Sequence, residues 1–337
     1  MKIKKSALLA TAVLTAGAIV LSGCSASGDG NTASAETTTI RVSHVESSTS
    51  VTHEALEAVA ERVEERTDGS LILEIYPDGQ LGTTTDTLQQ SASGETVIGY
   101  TDSASLAALG AKNLDILSGP FLFENTDQAQ AFHESEMFAD LGEELVEQTG
   151  VRILALNYFL GTRNVLGKDA YPNPEDMAGV KLRTPPIEAW TRTFEAVDAV
   201  PTTVEYTEAY SALQQGVVDA AESDINSLID QKWYETVKHL TMTHHMQLFL
   251  GFAIGEAGFQ KLSKEHQEVL LEEFSQGGID STQVNADKEE ETKRFLEENG
   301  VTITEADLAA YRDATASFYD DYPEGFLEDV RAAAGMN

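Results

Sequence analysis

Residues 38–100 read TTIRVSHVESSTSVTHEALEAVAERVEERTDGSLILEIYPDGQLGTTTDTLQQSASGETVIGY, and this stretch decides the fold. Thr38 to Ser43 is a short β-type run. A helix is predicted over 54–66, where Leu56, Val59, Ala60 and Val63 recur at helical spacing with Ser or Thr nearby to cap them. Asp68-Gly69 stops that helix. Leu71 to Tyr76 alternates as a strand does, and Pro77-Asp78-Gly79 turns the chain. Thr83 to Ala92 suits a second helix ended by Gly94, and Thr96 to Tyr100 is a further strand. The order β-α-β-α-β is the rhythm of a mostly parallel sheet covered by helices.

The same reading continues downstream. A helix is predicted over 127–149 and a strand over 152–157. Pro174 sits at a helix N1 position, with Glu175 and Asp176 in the first turn. Val180 to Arg183 is a short strand that Pro185-Pro186 ends. Helices are expected over 187–196, 207–215, 263–277, 282–299, 308–319 and 324–334. No fixed-period repeat stands out beyond the α/β alternation.

Upstream lies targeting chemistry. Lys2, Lys4 and Lys5 precede a mostly apolar run from Ala7 to Val20. A membrane span needs roughly 20 apolar residues, so this run reads as a secretory signal peptide over 1–23. Leu21-Ser22-Gly23-Cys24 resembles the lipobox of bacterial lipoproteins, in which Cys24 is diacylated after cleavage. Two acyl chains give stable membrane attachment. Residues 24–39 are small and polar after the cysteine, and they read as a flexible tether.

Cys24 is the only cysteine, so the rest of the chain has neither a disulfide framework nor a thiol nucleophile. The formal net charge is −34, and loss of the signal segment would remove three lysines and no acid. Phosphate binding needs a basic face, which argues against a nucleic-acid partner. Most of the acid reads as solvated surface. Catalytic motifs are missing: there is no G-x-S-x-G, no Walker A and no G-x-G-x-x-G. His53-Glu54 begins like a zincin helix, but position 57 is Glu. His244-His245 would point to opposite faces of a strand and cannot chelate jointly. Neither a catalytic residue, a metal site nor a cofactor is expected.

Against this acidic background two arginines stand out. Residues 161–186 read GTRNVLGKDAYPNPEDMAGVKLRTPP, with Arg163 and Arg183 inside packed α/β structure. Cations so placed ask for an anionic partner. A guanidinium offers a planar fork that takes a carboxylate in two parallel bonds.

At this point several blocks carry a resemblance. They are Glu65-Arg66-Thr67-Asp68-Gly69, Tyr76-Pro77-Asp78-Gly79-Gln80-Leu81-Gly82, Gly119-Pro120-Phe121-Leu122-Phe123 and Gly161-Thr162-Arg163. Pro174 to Arg183 and Glu208 to Asp219 complete the set, in order, across roughly residues 40–330. Together they resemble the solute-binding proteins of TRAP (tripartite ATP-independent periplasmic) transporters, the DctP-like family, here in lipoprotein form.

The resemblance implies a two-lobed α/β fold of the type II periplasmic-binding-protein kind. A ligand cleft would lie between the lobes, with long helices at the C-terminus. Lobe I would take 40–160 plus about 249–288, and lobe II 161–248 plus about 289–337. It also implies capture of a small organic acid and delivery to a large and a small membrane subunit, by a monomer held at the outer face of the cell membrane or in the periplasm. Arg183 would bind the carboxylate and Arg163 would assist. His44, Asp102, Tyr206 and Ser223 match positions that line such a cleft. Where the family commonly has Asn-Pro after the position of Glu222, this chain has Ser223-Asp224, so Ser223 or Asn226 would replace an amide contact. Trp190 reads as packing more than ligand contact. An acceptor at Asp102 suits hydroxyls and repels a second carboxylate, so a sugar acid ranks above a C4-dicarboxylate or keto acid. An exported sugar-acid enzyme or a ligand-sensing lipoprotein is the rival class.

Overall fold

The computed structural model describes residues 37–336. The signal segment, Cys24 and nearly all of the tether lie outside the described residues. The tether was expected to reach residue 39, but the first strand already starts at Thr38.

The chain opens with β1 (Thr38–Ser43), α1 (Val51–Arg66), β2 (Leu71–Tyr76), α2 (Thr84–Ala92), β3 (Val97–Asp102) and α3 (Ser103–Ala107). Local chemistry explains the boundaries. Ser50 caps α1 through His53 N, and Thr83 with Asp86 forms a capping box on α2. Two helices follow, α4 (Thr126–His133) and α5 (Glu136–Thr149), where the sequence suggested one. Ser135 caps the second through Phe138 N, and that new N-terminus is what splits the run.

Strand β4 (Val151–Gly167) is 17 residues long. The pattern of the opening then repeats as β5 (Lys181–Thr184), α6 (Glu188–Glu195), β6 (Val200–Thr203), α7 (Ala209–Gln214), β7 (Ala220–Ser223) and α8 (Ile225–Asp230). A second 17-residue strand, β8 (His239–Gly255), leads through α9 (Glu256–Phe259) into α10 (Lys264–Glu298). The sequence suggested two helices here, broken near Gly277-Gly278. The structure has one, about 50 Å long at 1.5 Å per residue. The two glycines serve packing: a Cβ on Gly277 would stand 2.5 Å from the Tyr158 hydroxyl, and one on Gly278 2.0 Å from the Asn157 side chain. β9 (Thr302–Glu305), α11 (Leu308–Thr315) and α12 (Phe326–Ala333) close the chain.

One sheet holds all nine strands of the described residues, in the order β2-β1-β3-β8-β4-β7-β5-β6, with β9 beside β8. β1 runs parallel to β2 and β3, and β5 runs parallel to β6 and β7. The long antiparallel pair β4–β8 joins these two parallel groups. The sheet is therefore two copies of one β-α-β-α-β-α arrangement stitched by two shared strands. The β4–β8 register shifts four times between Ile153 and Val165, which bends the pair along its length. Gly251 lies at the tightest approach, where a Cβ would sit 1.9 Å from Ala155 O. α10 packs across β4: Tyr158 Oη donates to Phe274 O at 2.9 Å, and Asn285 Nδ2 donates to Phe159 O at 3.0 Å.

Candidate ligand pocket

The parallel strands of both groups end at one cavity of about 270 Å³. Ligands of open α/β sheets bind in such crevices, beyond the carboxyl ends of the strands. One group contributes Glu46 just after β1, Tyr100 and Asp102 on β3, and Ser105 on α3. The other contributes Arg183 on β5, Trp190 on α6, Glu205 and Tyr206 after β6, and Ser223, Asp224 and Ser227 around β7 and α8. Leu160 and Arg163 of β4, Leu248 and Leu250 of β8, residues 82–86 at the start of α2, and Pro185 to Ile187 also line the cavity.

The two arginines do different things. Arg163 is paired with Glu222, a fully buried carboxylate. Its Nε donates to Oε2, and its Nη2 donates to Oε1 at 2.7 Å and to Glu222 O at 2.9 Å. His245 Nε2 lies 3.6 Å from the same carboxylate. Burial alone would raise Glu222, but Arg163 and His245 more than offset it and hold it at about 2. Burial likewise opposes the charge on Arg163, and Glu222 more than restores it.

Arg183 is 2% exposed, and no carboxylate lies within ion-pair distance of it among the described residues. Its Nε is anchored on Val204 O at 2.8 Å, and no hydrogen bond among the described residues engages Nη1 or Nη2. The guanidinium packs over Tyr206 and Trp233, with centroids 5.9 and 5.8 Å away. Burial pulls it down to about 10, against the attraction of Glu222. It is charged at neutral pH, poorly compensated and bordering a cavity. An anion docked there would relieve that condition.

Two aspartates mirror one another. Asp102 caps α3, accepting Ser105 N at 2.9 Å and Ser105 Oγ at 2.6 Å. Asp224 caps α8, accepting Ser227 N at 2.9 Å and Ser227 Oγ at 2.6 Å. Burial raises both carboxyls, and the serine bonds oppose that rise. Ser223 Oγ lies 3.4 Å from Asp224 Oδ2 and borders the cavity. Besides the Nη groups of Arg183, Trp190 Nε1 and Tyr206 Oη in the lining have no hydrogen-bond partner among the described residues.

Five of the seven expected positions therefore meet at the cavity: Arg183, Arg163, Asp102, Tyr206 and Ser223. Two placements need correction. His44 is buried and does not line the cavity; its Nε2 lies 3.0 Å from His53 Nδ1. Asn226 is spent on α10, bonded to Asn285 and Thr292 at 3.2 and 2.7 Å. Trp190 belongs to the core and also borders the cavity, 5.7 Å from Arg163. Sequence reasoning did not single out Glu46, Tyr100 or Asp224. For Asp224 a signal existed: D-x-x-S follows a strand at 102–105 and again at 224–227. Nothing in the sequence marks Glu46.

A pocket that sets a few buried charged and polar groups in a largely apolar wall, at the strand ends of a duplicated α/β sheet, defines a small-ligand-binding protein. The chain matches the family described as bacterial extracellular solute-binding protein, family 7 (DctP), over residues 42–325, and it belongs to that family. It is 27% identical over 293 residues to the sialic acid-binding periplasmic protein SiaP of Vibrio cholerae, covering 87% of this chain and 91% of that one. A TRAP periplasmic solute-binding protein from Ochrobacterium anthropi with bound L-fuconate superposes with a TM-score of 0.84 at 28% identity, covering 88% of this chain and 99% of that one. Another, from Fusobacterium nucleatum with bound sn-glycerol-3-phosphate, gives 0.84 at 29% identity, covering 88% and 97%. The protein is an extracytoplasmic solute receptor of the TRAP type with the two-lobed α/β fold of these relatives.

Proposed function

We propose that this receptor captures a sugar acid, a uronate or aldonate, and hands it to a large and a small membrane subunit. The observation that carries the reading is Arg183: a buried guanidinium with an anchored Nε and two open Nη groups at a cavity wall. Its fork takes the ligand carboxylate. Arg163, held rigid by Glu222, adds positive potential. Asp102, Ser223 and Tyr206 are polar partners for ligand hydroxyls. The two sheet halves act as lobes that close around the ligand, with divisions near residues 160, 248 and 288. The acidic lining disfavours a C4-dicarboxylate.

Cys24 carries the lipid anchor, residues 25–37 tether the receptor outside the membrane, and it works as a monomer. Capture and release complete the task, and no turnover is expected. The relative seen with glycerol phosphate supports a second reading, a phosphate monoester. A thermal-shift panel of uronates, aldonates, keto acids, dicarboxylates and glycerol phosphate separates the readings. At a hundredfold excess over Kd a true ligand stabilises by about 2.7 kcal/mol. A shift confined to sugar acids supports the first reading. A shift confined to dicarboxylates or glycerol phosphate overturns it, and turnover of a bound acid would favour an enzyme.

A further inference from the structure

The cavity has two chemically different ends. At one, Arg183 and Arg163 supply its positive charge. At the other stands Glu46, buried at 5% exposure, in the loop that follows β1. Its carboxylate accepts a single side-chain hydrogen bond among the described residues, from Tyr100 Oη. No cation stands within ion-pair distance of it among those residues. The groups that act on it most strongly are Tyr100 of β3, Thr52 of α1, and Asp224 and Asp230 at the two ends of α8, and neither arginine is among these.

Asp102 and Asp224 also face the cavity, but each already accepts two hydrogen bonds from a serine cap. Glu46 caps no helix. Of the other lining carboxylates, Asp78 and Asp86 are exposed and Glu205 acts on Arg183, so Glu46 is the buried acceptor with most capacity left for a ligand. We propose that Glu46 is the specificity-determining residue of this pocket: it selects acids whose far end carries hydroxyl or ammonium donors, and it rejects acids whose far end carries a second anion. This rests on the reading that Arg183 holds the near carboxylate. A carboxylate brought beside Glu46 would meet Asp224 and Asp230 as well. A hydroxyl or ammonium there would find acceptors.

The selection has a pH signature. Burial raises Glu46 to about 7, against the opposing bond from Tyr100. Above that pH it is ionised and repels a second anion. Below it, the protonated acid donates a bond and its own share of the repulsion is gone. His44, next to this cluster, is lowered to about 4 by burial and by His53, so it stays neutral across that range.

The test uses matched pairs on the full folded receptor: L-galactonate against galactarate, and D-gluconate against D-glucarate. Each pair differs only in a terminal CH₂OH or carboxylate. Calorimetry near pH 8 should show the aldonate binding at least about tenfold tighter. The gap should narrow several-fold near pH 5.5. In Glu46→Gln it should be narrow at both pH values. Should that variant fail to fold, the pH series on the unaltered protein still decides. Equal affinities within a pair near pH 8, or a gap unmoved by both pH and Glu46→Gln, overturns the assignment of Glu46 while leaving the sugar-acid reading intact. Failure of every aldonate, aldarate and uronate to bind overturns both.

Discussion

Replacing Arg183 by alanine should abolish ligand capture and leave the empty protein folded. The magnitude follows from the geometry. Two open Nη groups facing a carboxylate form two charge-assisted bonds, each contributing about 1.5–3 kcal/mol. Their loss weakens binding by about 3–6 kcal/mol, which is roughly 10² to 10⁴ in Kd. The unliganded fold feels opposing effects. Holding the guanidinium down at about 10 corresponds to about 3 kcal/mol against the buried charge, and alanine removes that cost. Alanine also forfeits the bond to Val204 O, at about 1 kcal/mol, and the contacts with Tyr206 and Trp233, at about 0.5–1 kcal/mol each. These terms nearly cancel. Arg183→Lys keeps the charge but loses the fork, and should cost about ten- to a hundredfold in affinity. Calorimetry with the strongest ligand of the panel measures binding, and denaturant unfolding without ligand measures stability. An Arg183→Ala protein that is folded and binds within about threefold of the parent would refute the argument.

Arg163 should behave in the opposite way. Arg163→Met strands Glu222 in the core and should destabilise the fold by about 3–5 kcal/mol, which Glu222→Leu in the same chain should largely restore; urea unfolding of the three variants checks this. Glu222 is depressed to about 2 from an ordinary value of 4.5, so its contribution is complete above pH 4.5 and is lost as pH falls toward 2. Acid unfolding followed by circular dichroism should have a shallower slope over that window in Glu222→Gln. Glu46 has the reverse sign. Raised to about 7, it costs nothing below pH 4.5 and about 3 kcal/mol once pH exceeds 7, so Glu46→Gln should be stabilised near pH 8 and unchanged near pH 4 in thermal melts. Gly251→Ala drives a Cβ into Ala155 O and should cost more than about 3 kcal/mol, with equal loss from both halves of the sheet in hydrogen exchange.

Much of this protein could be read from local chemistry. The run 38–100 specified its strands and helices because periodicity, caps and turn residues act within a few positions of one another. The motif ending at Lys181-Leu182-Arg183 pointed to a guanidinium at a strand end, and there the structure places Arg183 beside the cavity. Elements governed by distant partners were not legible. The length of β8 was not legible, because its 17 residues are held along their length by pairing with the equally long β4. Gly277-Gly278 looked like a break and instead lets Tyr158 and Asn157 approach α10.

The sequence by itself determined the α/β class, the acidity, the candidate export signal and the two arginines that matter. Those features are carried by residue type and by spacing along the chain. Only the tertiary structure decided what each arginine does. Arg163 and Arg183 are the same residue in the same acidic chain. Glu222 lies 59 residues from Arg163 in sequence and against it in space, so Arg163 is paired and held in place. Arg183 meets a carbonyl, two aromatic rings and an open cavity, so its charge remains to be answered. Glu46 is the mirror case, an acid among many until the fold places it in the pocket without a cation. Charge pairing is settled by which residues share a volume, and no local pattern encodes that.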